Sequence, residues 1–121
     1  MKDFVIATTV IILLLLGVVL LSEGGIARIE DYLDALPPEE APPEEAAPAL
    51  EALEKRVRGD LFFLNTIFSH TRTDALELAV AGALAAAGSG DEVELAIKRA
   101  ELESLLLDMH RDLTPNPVDM I

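Results

Sequence analysis

Two histidines, His70 and His110, are the only imidazoles in a 121-residue chain that has no cysteine. Each has carboxylates within helical reach: Asp74 lies four residues after His70, and Asp108 and Asp112 flank His110. Two imidazoles with one or two carboxylates could hold zinc or another divalent cation in an open site. The spacing argues against it. Forty residues separate the histidines, neither His-x-x-x-His nor Glu-x-x-His occurs, and a cation at either place equally complements a helix C-terminus. No metal or cofactor is expected, and His70, Asp74 and His110 are the residues on which the alternative would rest.

Other reactive equipment is sparse. Ser69 adjoins His70, but consecutive residues on a helix point about 100° apart, so the pair lacks the geometry of a nucleophile and its base. Without a thiol or a glycine-rich phosphate loop, the chain reads as a non-enzyme. A formal net charge of −13 repels phosphates and excludes nucleic acid as a partner.

The elements that would position any such group begin with residues 4–21, FVIATTVIILLLLGVVLL, a run without charge. At about 1.5 Å per residue a helix of this length spans about 27 Å, close to the roughly 30 Å hydrocarbon core of a bilayer. A cleaved signal peptide is the competing reading, since Ser22-Glu23-Gly24 and Gly25-Ile26-Ala27 both set small residues two apart. Against it, the apolar part of such peptides is usually about 7–15 residues long. The leader here is only Met1-Lys2-Asp3, and no Ala-x-Ala directly follows the run. A retained signal anchor is expected. The short leader and Lys2 suggest an N-terminus in the cytoplasm and everything after Ser22 outside.

The fold class expected is all-α, a transmembrane helix followed by a short bundle of three to four antiparallel helices. Residues 1–3 form a cytoplasmic leader and 4–21 the span. Residues 22–36 form a short amphipathic helix with Ile26, Ile29, Leu33 and Leu36 on one side; Gly24 and Gly25 permit a bend before it, or a continuous helix. Pro37-Pro38-Glu39-Glu40-Ala41 and Pro42-Pro43-Glu44-Glu45-Ala46 repeat one pentapeptide, so 37–48 reads as an extended linker that could reach on the order of 35 Å. Its functional reading, a proline-motif ligand, lacks the basic residue such recognition uses.

Helical periodicity then returns over 49–113. The first piece, to about Ser69, carries Leu50, Leu53, Val57, Leu61, Leu64, Ile67 and Phe68. The second starts at Asp74, with Glu77 placed for a capping box, and is so rich in alanine that it should sit between the other two. Gly88-Ser89-Gly90 is a turn signal. The third starts at Asp91 and turns Leu95, Leu102, Leu105, Leu106, Met109 and Leu113 inward. Residues 114–121 form a tail. A bundle of this size rarely gains more than about 3–5 kcal/mol from one core, so the 22–36 helix, self-association or a membrane partner must help.

Leu50-Glu51-x-Leu53-Glu54, Phe63, His70 followed by Asp74, Gly90-Asp91 and the stretch from Ala96 to Leu107 together make half of the chain similar to the bacterial domain of unknown function 4363 family. The chain departs from that pattern at Val57, where tryptophan is expected, and in the doubled pentapeptide. The resemblance implies a small anchored helical protein and no assigned chemistry.

The function expected is a non-catalytic protein-interaction or structural module outside a bacterial cytoplasmic membrane, its partners being the membrane and either another protein or a second copy. The residues expected to supply core and interface are Leu50, Leu53, Val57, Leu61, Phe63, Leu64, Phe68, Leu102, Leu106 and Met109. The alternative is an extracytoplasmic cation or small-ligand sensor using the acidic surface and the His70/His110 end.

Overall fold

No proline interrupts the chain before Pro37, and nothing before it stops helix growth. The computed structural model, which describes residues 2–114, accordingly has one 34-residue helix, α1 (Lys2–Ala35), about 51 Å long at the standard rise. The residue before a proline is disfavoured in helical geometry, so α1 closes ahead of Pro37-Pro38. After it come α2 (Pro43–Gly59), α3 (Leu61–Ile67), α4 (His70–Ser89) and α5 (Glu92–Leu113), with no strand among the described residues. Of the expected tail, only Thr114 falls within the described residues.

The glycine pair does not interrupt α1. Gly25 is buried, and a Cβ on it would stand 2.6 Å from Ile67 Cδ1 and 2.7 Å from Leu113 Cδ1, while one on Gly24 would stand 3.0 Å from Phe63 Cζ. The pair lets α3 and the end of α5 approach the helix closely. The two halves of α1 therefore form one rod, exposed over residues 4–21 and packed through Ile29 and Tyr32 beyond them.

The extended linker over 37–48 is corrected to a connection of residues 36–42. Pro43 occupies the first position of α2, where a missing N–H costs nothing and the fixed φ suits the helix. Glu44 and Glu45 sit in the first turn, favoured by the positive end of the helix dipole. The carbonyl of Pro42 accepts from the amides of Glu45 and Ala46, both at 3.0 Å. Pro48 lies inside the helix, on an exposed position, and deprives the Glu44 carbonyl of its usual donor. The first copy of the pentapeptide makes a turn instead, Ala41 donating to Pro38 at 3.0 Å.

Two further boundaries differ. The single helix expected to about Ser69 breaks at Asp60, whose φ of −97° and ψ of 2° leave the helical range, separating α2 from α3. The second bundle helix starts not at Asp74 but at His70, because Ser69 caps it first: its Oγ accepts from the Arg72 amide at 3.2 Å. The turn after α4 forms where expected. Gly90 takes a φ of 76°, which glycine adopts without steric cost, and the Asp91 carboxylate accepts from Val93 and Glu94, each at 3.1 Å.

The alanine-rich α4 packs on both α2 and α5, and α1 packs chiefly on α5, so the far half of α1 is the fourth member of the bundle. Leu50, Leu53, Val57, Leu64, Phe68, Leu102, Leu106 and Met109 are buried in one core with Ile29 and Tyr32. Leu61 and Phe63 are half-buried. Eight of the ten residues expected to serve core and interface together therefore serve the core.

Candidate functional site

Alternation of direction fixes two ends. α2 and α5 run toward the level where the apolar segment leaves the bundle, and α4 runs away from it; this near end holds α3, the start of α4 and the end of α5. It carries a polar network absent from the expected site residues. The Tyr32 hydroxyl donates to Asp60 Oδ2, Arg28 Nε lies 3.5 Å from Asp60 Oδ1, and the Arg28 guanidinium stands 3.8 Å over the centre of the Phe63 ring, a cation–π distance. Burial first, and the bond to Asp60 second, push the Tyr32 hydroxyl above its ordinary range. This phenol, outside the apolar run, stays a donor, and the network ties α1 to the break between α2 and α3.

The histidines do not meet in a ligand cluster. The near end does bring the start of α4 to the end of α5, as Arg72 and Asp112 show at 2.7 Å. However, His110 Nε2 lies 3.2 Å from Glu30 Oε1 of α1, while His70 is an exposed first residue of α4. The role expected of His70, a cation at a helix C-terminus, is thus corrected: it stands at an N-terminus, while His110 keeps its place in a last turn. Among the described residues no group of three or more His, Asp or Glu side chains is placed to hold a metal ion, so His70, Asp74 and His110 are not brought together as one.

Neither groove beside these elements is built for a small ligand. One, of about 190 Å³, lies between α2 and α4 against Val57, Leu78 and Val80, below the roughly 300 Å³ where ligand pockets begin. Another, of about 320 Å³, is lined by Arg28, Asp31, Tyr32, Arg56 and Asp60; its groups are largely those of the network, with Tyr32, Arg28 and Asp60 already satisfying one another.

Charge divides the two ends. At the near end four arginines are matched: Arg28 with Asp60, Arg58 with Glu54 at 3.4 Å, Arg72 with Asp112, and Arg111 with Asp108 at 3.1 Å. The far end collects Glu39, Glu40, Glu44, Glu45, Asp91, Glu92 and Glu94, all exposed. Its bases are Lys98 and Arg99, and Arg99 is spent on structure, donating to the Pro37 carbonyl at 2.6 Å and pairing with Glu103. The doubled pentapeptide's acids therefore sit at the end of the bundle away from the apolar run, not between them.

Sequence reasoning missed Arg28, Tyr32, Asp60 and Arg99. Gly59-Asp60 inside a helical pattern was an available signal for the break, and the chain's only tyrosine sits on the inward stripe of α1; nothing local pointed to Arg99. The outward faces are also unexpected. Among the described residues, Phe62 (89% exposed), Leu78, Val93, Ile97 and Leu107 are the large apolar side chains left uncovered outside the apolar run. No family model, curated protein or solved structure matches the chain.

Proposed function

We propose that this chain is a single-pass membrane protein whose helical bundle, held at the outer face of a bacterial cytoplasmic membrane, is a non-catalytic docking or structural module. The observation that carries the reading is α1 itself. Its window of eighteen apolar residues has no cover from the rest of the protein, and an uncovered surface of Leu, Ile and Val of that extent belongs in lipid rather than water. The same helix then contributes Ile29 and Tyr32 to the core, so anchor and module are mechanically continuous. The resemblance to the domain of unknown function 4363 family accords with an anchored helical protein.

Docking would use helix packing on α5. Val93, Ile97, Ala100, Ser104 and Leu107 follow one another at spacings of four and three and are all exposed, the pattern of a two-helix seam. Glu94, Glu101 and Asp108 run along one edge of it. Lys98 pairs with Glu94 and Glu101, and Arg111 with Asp108, so the edge carries mixed charge and the seam suits a partner helix or a second copy. Photocrosslinking from Ile97 and Leu107 in native membranes should trap a partner protein, with a probe at buried Leu102 silent. Recovery of uncrosslinked monomer alone from both outward positions would remove the docking reading.

A further inference from the structure

We propose that α3 is a second, peripheral contact with the bilayer, with the Phe62 ring seated at the boundary of headgroups and acyl chains; this rests on the reading that residues 4–21 cross the membrane. The level of α3 along α1 is set by packing. Phe63 lies against Gly24 and Ile67 against Gly25, and Gly24 is three residues beyond the end of the apolar run, about 4.5 Å along a helix axis. An interfacial helix buries its apolar face about 5–10 Å into this boundary, with Phe, Trp or Leu on that face, so α3 lies within reach of it.

The faces of α3 are sorted accordingly. Leu64 and Phe68 are buried in the core and Phe63 and Ile67 turn to α1, while Phe62, Asn65, Thr66 and Ser69 remain exposed. Among the described residues of the bundle Phe62 is the most exposed large apolar side chain, more so than Leu78 at 74% or Val93 at 72%. It occupies the short helix at the near end, between a descending α2 and an ascending α4. Electrostatics permits the approach. Near α3, Arg28, Arg58, Arg72 and Arg111 pair with Asp60, Glu54, Asp112 and Asp108, so four carboxylates of this end are neutralised, while Glu39, Glu40, Glu44, Glu45, Asp91 and Glu92 stand at the far end, away from headgroups. The bilayer is favoured over a protein occupant because the ring's neighbourhood is fixed by the anchor, whatever partner is present.

The chain has no tryptophan, so single-tryptophan variants of the full-length protein report without background. Phe62→Trp, Leu14→Trp and Val93→Trp would be reconstituted separately in phosphatidylcholine vesicles, without bromine and with lipid brominated either near the headgroup end or deep in the acyl chains. Expected are a blue-shifted, bromine-quenched emission at position 62 and an unquenched emission at 93. Quenching at 14 without quenching at 62 would overturn the α3 contact and leave the anchor standing; a blue shift at 62 without bromine quenching would assign the ring to a protein neighbour and overturn it equally. Emission at 14 unchanged by either depth of bromination would overturn the anchor itself. Equal quenching at 62 and 93 would show the bundle lying flat on the surface, against a seat specific to α3.

Discussion

The two halves of α1 are one uninterrupted helix in two different environments. Over residues 4–21 every side of the helix is apolar and no part of the protein covers it; beyond Ser22 only Ile29, Tyr32 and their neighbours are apolar, and these are buried while Glu30, Asp31 and Asp34 face outward. A helix apolar all round needs an apolar solvent, whereas a helix with one stripe needs only a partner surface. The chain thus has no spacer between its apolar segment and its bundle. The rod that would enter lipid is the same rod that completes the core.

Matched substitutions in the two halves should therefore separate their roles, and the largest contrast lies in the core. Ile29→Ala should lower bundle stability by about 2–5 kcal/mol, read by denaturant unfolding in detergent, while Leu14→Ala should leave that transition unchanged; equal effects would break the distinction. Next come the glycines. Gly25→Leu, forced against Ile67 and Leu113, should cost about 1–3 kcal/mol, whereas Gly17→Leu, with open space around it, should not shift the bundle's unfolding. A null result at Gly25 would return the glycine pair to the role of a hinge.

Tyr32→Phe should cost about 1 kcal/mol, the low end for a lost partner of a buried polar group, because Asp60 keeps Arg28. It also carries a pH signature. The folded protein holds the Tyr32 proton above the pH, about 10, at which an unfolded chain releases it, so this contribution is complete below about pH 10 and declines as the solution becomes more alkaline. The phenylalanine variant should lack that part of the alkaline loss; identical alkaline profiles would exclude the network from stability. Asp91→Ala, at the far end, should cost about 1 kcal/mol through loss of the α5 cap, measurable by the same unfolding curves. Smallest of all, calcium or zinc against chelator should leave the melting temperature in place; a clear rise would favour the cation-sensor reading over docking.

Much of the helical content was legible because it depends on residues a turn or two apart. The apolar run, the alanine-rich α4 between two neighbours, the Gly90-Asp91 turn and the burial of Leu50, Leu53, Leu102 and Leu106 all follow from local composition and period. The doubled pentapeptide misled because proline was read as a helix breaker throughout, though its second copy places Pro43 where a helix accepts it. Asp74 was passed over as a cap because Ser69 offered an oxygen one turn earlier. The interface was the least legible part. An apolar stripe identifies a buried face, and the outward seam of α5 became visible only once the inward one was filled.

By itself, the sequence determined that the chain is helical, that its first helix is fit for lipid, and that its surface is acidic, since composition and short-range period suffice for each. Tertiary structure decided that the apolar segment and one member of the bundle are a single helix, that the acids of the pentapeptides stand at the far end, and that His110 turns to Glu30. Those outcomes rest on pairs such as Tyr32 with Asp60, Pro37 with Arg99 and Glu30 with His110, separated by 28, 62 and 80 positions. No local pattern encodes such distances, because they are settled by which faces bury the most apolar surface together.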